Sequence, residues 1–233
     1  MKRLLALILL APIAAISQTE IAANPTRPSA SDNAYLTATG YTELEFGWAY
    51  TNDLWTFPAL LKFGAHEKIE VGLITNGLLT RIENSSGSDT EVGDPALLVK
   101  GQLVNKPWGA LAVAGRVDWP SGSPAAYTLY SVLSYQTEPV QIDATLGGAF
   151  FEDDDVLFYA VAVAPKLQSK LGAFIEIFGT DLSGSNTIAS DFGISYSHSP
   201  RFVSDISFAF GLNDRADDWL LQIGFTAVLF KVF

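Results

Sequence analysis

From Gly40 to the C-terminus the chain repeats one theme, roughly ten residues of alternating polarity followed by a turn signal. The alternation predicts strands at Tyr41–Tyr50, Leu54–Gly64, Ile69–Leu79, Ala96–Val104, Gly109–Asp118 and Ala126–Gln136. It predicts six more at Val140–Phe151, Val156–Gln168, Leu171–Thr180, Thr187–Ser197, Phe202–Asn213 and Trp219–Phe233, which makes twelve. In the first, Leu44, Phe46, Trp48 and Tyr50 share one face and Glu43 and Glu45 the other. Likewise Leu61 and Phe63 oppose Lys62, Ile69 and Val71 oppose Glu70, and Ile206 and Phe208 oppose Asp205. The strands starting at Ala126, Val156 and Leu171 carry apolar or aromatic residues on both faces, which predicts a partly apolar interior there.

A soluble sandwich also alternates, but its wet face is normally charged throughout. Here the polar face is thinly charged and rich in Gly, Ala, Ser, Thr and Gln. Such residues suit the lumen of a narrow barrel, and the large apolar ones suit lipid. Tilted strands of ~9–11 residues cross the hydrocarbon of a bilayer. The fold class expected is therefore all-β, an antiparallel up-and-down transmembrane barrel of about twelve strands. A closed barrel also leaves no sheet edge, which lipid would not tolerate.

The connections fall into two alternating sets. One is short and holds His66, Lys68, Lys106, Lys170, His198 and Arg201. The other is longer and acidic, with Glu83, Asp89, Glu91 and Asp94 in a loop Thr80–Asp94, then Glu152-Asp153-Asp154-Asp155, Asp181, Asp214, Asp217 and Asp218. Short turns on the periplasmic side and longer external loops give the orientation, with both termini periplasmic. Trp48, Tyr50, Trp55, Trp119 and Trp219 then fall near the external ends, and Trp108, Tyr135, Tyr196, Phe202 and Phe233 near the periplasmic ends, as two aromatic girdles.

Composition agrees. Hydrophobic residues make up 48%, charged residues only 17%, and the net charge is -11. That acidity argues against nucleic acid as a partner. There is no Cys, which excludes disulfides and thiolate metal sites. Met1-Lys2-Arg3 followed by the apolar run Leu4 to Ile16 reads as an export leader, with cleavage after Ser17. Residues 18–39 show no period and read as an irregular arm or plug, ahead of a barrel over residues 40–233.

The last strand ends in Leu229-Phe230-Lys231-Val232-Phe233, with Phe225, Ala227 and Leu229 at alternate positions. It resembles the signal by which the barrel-assembly machinery recognises its substrates, with Phe233 as the terminal aromatic. Lys231 departs from that pattern and would snorkel at the interface. Three further segments resemble the outer-membrane transporter family named for the MetA pathway of phenol degradation. They are Arg27-Pro28 through Gly40-Tyr41-Thr42-Glu43-Leu44-Glu45, Gly93-Asp94-Pro95 through Lys100, and Asp218-Trp219-Leu220-Leu221-Gln222-Ile223-Gly224. The resemblance implies a channel in the outer membrane of a Gram-negative bacterium for passive uptake of small, often aromatic or hydrophobic solutes. It implies no cofactor and no catalytic residues.

Enzymatic chemistry is not expected from the residues themselves. His66 and His198 both fall in predicted periplasmic turns, and His198 beside Ser197 and Ser199 has poor geometry for a Ser–His pair. Glu152–Asp155 lacks the ligand spacing and turn Gly of a Ca²⁺ loop and reads as a solvated loop, with cation bridging to lipopolysaccharide as the weaker reading. The candidate site is the lumen: Glu43, Glu45, Lys62, Glu70, Lys100, Arg116, Asp143, Glu176, Asp191 and Asp205. Charges of both signs in a low-dielectric tube should pair. Either they line a water path, where seven carboxylates against three cations favour cationic or neutral solutes, or they form a network that closes the interior and leaves a structural or surface-interaction barrel. The expected partners are outer-membrane lipid and lipopolysaccharide, the assembly machinery and the solute, with the chain acting as a monomer.

Overall fold

A computed structural model describes residues 21–52, 54–78, 80–84, 87–167 and 170–233. The expected leader lies outside these. The described chain forms one antiparallel sheet in which every strand pairs with its sequence neighbour and the last closes on the first. Nine strands are continuous. Three near the start of the barrel are each made of two parts.

β1 is Tyr41–Thr51. β2 comprises Leu54–Thr56 and Ala59–His66, broken at Phe57-Pro58. β3 comprises Ile69–Thr75 and Thr80–Asn84, and β4 comprises Gly87–Glu91 and Pro95–Lys106. The remainder are β5 (Gly109–Asp118), β6 (Ala126–Gln136), β7 (Val140–Phe150), β8 (Asp155–Pro165), β9 (Leu171–Leu182), β10 (Ser185–Ser199), β11 (Phe202–Gly211) and β12 (Trp219–Lys231). Closure runs through β1 and β12, with Glu43 opposite Val228 and Tyr50 opposite Leu221. The twelve strands and their order agree with the alternation.

Two details differ from the sequence reading. Thr80–Asp94 is not a loop. Thr80–Asn84 and Gly87–Glu91 pair as a hairpin that carries the wall outward, and Leu54–Thr56 joins its flank. The hairpin escapes the alternation because its sequence is almost wholly polar, so the period of two that marks a half-buried strand is missing. It hinges at one level. Pro58 has no N–H to give the ladder, Gly77 takes φ +128°, and Gly93 N donates to Gly77 O at 2.6 Å. Second, His66, Lys106 and His198 end strands instead of lying in turns. The register shifts at Tyr41/Glu43, Gly64/His66, Gln102/Val104 and Ser197/Ser199 all sit at this same rim. Bulges there add a residue and tighten the twist where the wall ends.

Burial follows the period of two. On β4 Leu97, Val99 and Leu103 face outward, while Leu98 and Lys100 face in. On β9 Ile175 and Ile177 are exposed either side of buried Glu176. The result is a belt of exposed Leu, Ile, Val and Phe around the barrel and an interior of small and polar residues such as Ala112, Ala160, Ser134 and Thr226. An apolar face of this extent is stable only against lipid. Aromatic rings bound the belt. At one end Tyr50 packs on Trp55 at 4.1 Å and on Trp219 at 5.2 Å. At the other, His198 lies between Tyr196 and Phe202, and Phe233 meets Phe63 at 5.8 Å.

The belt is testable at its middle. Ile177→Arg is expected to destabilise the folded protein by about 2–4 kcal/mol in bilayers. Unfolding in urea from lipid vesicles measures this, and Thr128→Arg, at a position that lines the interior cavity, should not reproduce it through lipid contact.

Candidate functional site

The arm enters the barrel. Its first described residues lie at the rim of short turns, where Ala23 N donates to Pro200 O. The chain climbs past β1, crosses to β9 and β7, and returns past β6 and β3 to the same rim. There Thr39 bridges Gly64, and Gly40, at φ +80°, turns it into β1.

A segment with no helix or ladder of its own leaves its N–H groups without partners, and a buried one must find them. The wall supplies carboxylates. Glu43 accepts from Asn24 N at 2.8 Å. Glu45 accepts from Thr26 N at 2.9 Å and from Arg27 N at 3.2 Å. Glu176 accepts from Ala30 N at 2.7 Å and Ser31 N at 2.6 Å, one to each oxygen. Glu70 accepts from Thr37 N at 2.6 Å. Hydroxyls complete the set, with Thr145 accepting from Asp32 N and Ser134 from Ala34 N. These carboxylates are 1–2% exposed.

Buried carboxylates need counter-charge. Lys62, fully buried, places its Nζ 2.5 Å from both Glu43 and Glu45 and also donates to Asn24 O at 2.6 Å. Lys100, equally buried, meets Asp32 of the arm at 2.8 Å. Arg27 of the arm lies 3.7 Å from Asp205. Its guanidinium rests on a notch made by Gly47 and Gly224, which face each other across the β1–β12 closure. A Cβ on Gly224 would stand 2.6 Å from Arg27 Nε, and one on Gly47 would overlap the guanidinium.

The remaining members of the lumen set serve other ends. Asp143 accepts from Ser134 and Gln141 and so orients the hydroxyl that holds Ala34. Arg116 is separate from the network. It pairs with Asp118 and donates to Asn76 at 2.8 Å near the end with the long connections. Asp191 stands opposite Glu176 across β9 and β10.

Arg27, Asp32, Ser134, Thr145 and Gln102, whose amide donates to Ala34 O at 2.8 Å, are not among the lumen residues expected from sequence. Arg27 and Asp32 carry a signal in retrospect: with Glu20 they are the charges of the irregular segment 18–39. Ser134, Gln102 and Thr145 carry none, because an uncharged polar residue on a lumen face looks the same whether or not it holds anything.

Above the arm the lumen stays open as a cavity of about 550 Å³. Its floor is Thr26 and Ser29–Asp32, one wall is Leu60, Ile74 and Leu98, and the other is Tyr130, Phe151 and Phe158. Asn76, Asp94, Arg116 and Asp118 line its mouth. The apolar side is the one expected from the mixed patterning of β6, β8 and β9. A neighbouring cavity of about 460 Å³ shares the floor and reaches Phe178 and Asp191.

His198 Nε2 lies 2.9 Å from Ser204 Oγ. Among the described residues no hydrogen bond orients the other ring nitrogen. The ring is held by Tyr196 and Phe202 as part of the rim's aromatic cluster.

No family model and no curated protein matches the chain. Solved structures do. The COG4313 outer membrane channel from Pseudomonas putida F1 is 11% identical, with TM-score 0.64 over 92% of this chain and 100% of that one. The KdgM porin in complex with disordered oligogalacturonate is 8% identical, with TM-score 0.63 over 81% and 99%. The CymD monoaromatic hydrocarbon channel is 10% identical, with TM-score 0.51 over 84% and 90%. At these identities the likeness defines the fold, a closed twelve-strand antiparallel β-barrel of the outer-membrane channel type. The structures compared are channels and porins, not enzymes.

The network makes two predictions. Lys62→Met strands two buried carboxylates and is expected to cost about 3–5 kcal/mol, read as a lowered urea midpoint in vesicles. Glu176→Ala orphans the N–H groups of Ala30 and Ser31, at about 1–3 kcal/mol for each. Hydrogen–deuterium exchange of the arm should quicken there well before global unfolding.

Proposed function

We propose that this protein is an outer-membrane channel for passive uptake of small solutes, entered from the outside through the vestibule above the arm. The observation that carries the reading is a lipid-suited barrel whose lumen keeps a cavity of about 550 Å³ reaching the end with the long connections. That volume lies within the range of ~300–1,000 Å³ typical of small-molecule sites. The arm lies across the path below, so a solute passes when the arm shifts or by working around it.

The lining selects. Carboxylates outnumber cations along the lumen, and the vestibule holds Asp32, Glu70, Asp94 and Asp118 against Lys62 and Arg116. A polyanion such as oligogalacturonate, named with the KdgM porin, would be repelled. Phe151, Phe158 and Tyr130 instead favour a small solute with an aromatic or aliphatic body. The finer assignment is to the transporter family named for the MetA pathway of phenol degradation. It rests on the segments beginning at Arg27, Gly93 and Asp218 and accords with the monoaromatic hydrocarbon channel among the compared folds.

In this reading the leader directs export, Phe233 serves the assembly machinery, and the acidic external loops meet lipopolysaccharide. The barrel works as a monomer because closure leaves no strand edge to pair. The alternative, a closed barrel with a structural or surface role, finds support only in the filled lumen.

Planar bilayers test the proposal. The reconstituted protein should give a small conductance with cation preference in a KCl gradient, and liposomes carrying it should swell in small uncharged solutes. Insertion with neither conductance nor swelling would falsify transport and favour the closed barrel.

A further inference from the structure

Asp191 is the anomaly of the lumen. It is 2% exposed, and its Oδ1 is buried without a hydrogen-bond partner. Its nearest charged neighbour across the sheet is Glu176, another carboxylate. Ionised, Glu176 only adds to the negative charge beside it. Both Glu176 oxygens are taken up by the N–H groups of Ala30 and Ser31. The other charged side chains of the 460 Å³ cavity have opposite charges close by. Glu45 has Lys62 at 2.5 Å, Arg27 has Asp205 at 3.7 Å, and Arg116 has Asp118. Among the described residues Asp191 alone lines that cavity as a charge without a counter-ion.

A buried carboxylate left beside a second one is costly, and a cation supplied from outside removes the cost. The cation's nature follows from the surroundings. A divalent metal takes six or more oxygen ligands, and of the two carboxylates that line this cavity Glu45 is held by Lys62, which leaves Asp191 and Gln222 while the Glu176 oxygens are engaged. A primary ammonium needs only a few acceptors, which Asp191 and Gln222 can provide. Phe178 on the neighbouring strand, with Leu220, Leu60 and Ile74, gives the same cavity apolar surface. The site therefore has a negative end and an apolar body.

We propose that Asp191 is a solute-binding residue that holds the ammonium group of a small primary amine, whose aromatic or aliphatic body lies against Phe178 and Leu220. The proposal rests on the channel reading and narrows its solute class to organic cations. The arm residues Ser29 and Ala30 line this cavity, with Ala30 fixed by Glu176.

Benzylammonium and benzyl alcohol separate charge from shape. Each is titrated calorimetrically into the folded full chain in detergent. The wild type should bind benzylammonium at least about tenfold more tightly than the alcohol, the margin expected of a charge-assisted hydrogen bond. Asp191→Asn should abolish that margin, while Asp153→Asn in the exposed loop, which removes the same charge, should keep it. Circular dichroism and thermal unfolding verify that both variants fold. Equal affinity for the two probes in the wild type overturns the proposal, and is the result if a proton shared between Glu176 and Asp191 occupies the place of the cation. A margin that survives Asp191→Asn overturns it too. The channel reading fails separately, through absent conductance in bilayers with binding of benzylammonium intact.

Discussion

Every backbone polar group inside a membrane barrel must find a partner within the protein, and the wall carboxylates meet that demand for the arm. Strands satisfy one another by closing, but residues 21–40 bring a length of unpaired backbone into the lumen. Glu43, Glu45, Glu70 and Glu176 accept its N–H groups at 2.6–3.2 Å. From this the other features follow. Carboxylates so deeply buried require Lys62. The arm must bring Arg27 and Asp32 to balance Asp205 and Lys100. Gly47 and Gly224 must lack side chains so that Arg27 can lie against the wall.

This arrangement reconciles two readings that looked like rivals. A charge network that closes the interior and an open cavity lined by polar and aromatic side chains occupy different heights of the same lumen. Low in the barrel the charges are saturated by the arm and by one another. Higher up, Arg116, Asp118, Asp94 and Asn76 surround open space next to Phe151 and Phe158. The arm is thus both the floor of the vestibule and the obstacle below it. Its position depends on a handful of charge-assisted hydrogen bonds, each worth about 1.5–3 kcal/mol, so a modest change of partners would move it.

The barrel itself was largely legible. A period of two assigns each residue to lipid or lumen without knowledge of what lies across the sheet, so Leu97, Lys100, Ile175 and Glu176 could be placed one by one. The hinge at Pro58, Gly77 and Gly93 was less so. Beyond it the hairpin Thr80–Asn84 and Gly87–Glu91 is almost wholly polar in sequence, so the alternation that marks a strand disappears. The candidate site was legible as a list of charges but not as a set of pairs. Glu176 and Asp191 sit on neighbouring strands, yet one is saturated by the arm and the other is not, and nothing in their local sequence separates them.

Local pattern therefore determined the strand number, the two faces and the charged residues that point inward. These depend on the short period of the backbone and on the sign of each side chain's affinity for water, which are properties of a residue and its immediate neighbours. The tertiary structure decided which charge meets which, where the arm runs, and which carboxylate is left facing a cavity. Those depend on distances between residues far apart in the chain, such as Ala30 and Glu176 or Arg27 and Gly224. An aperiodic segment like the arm encodes no geometry of its own, so only the wall that receives it can fix its course.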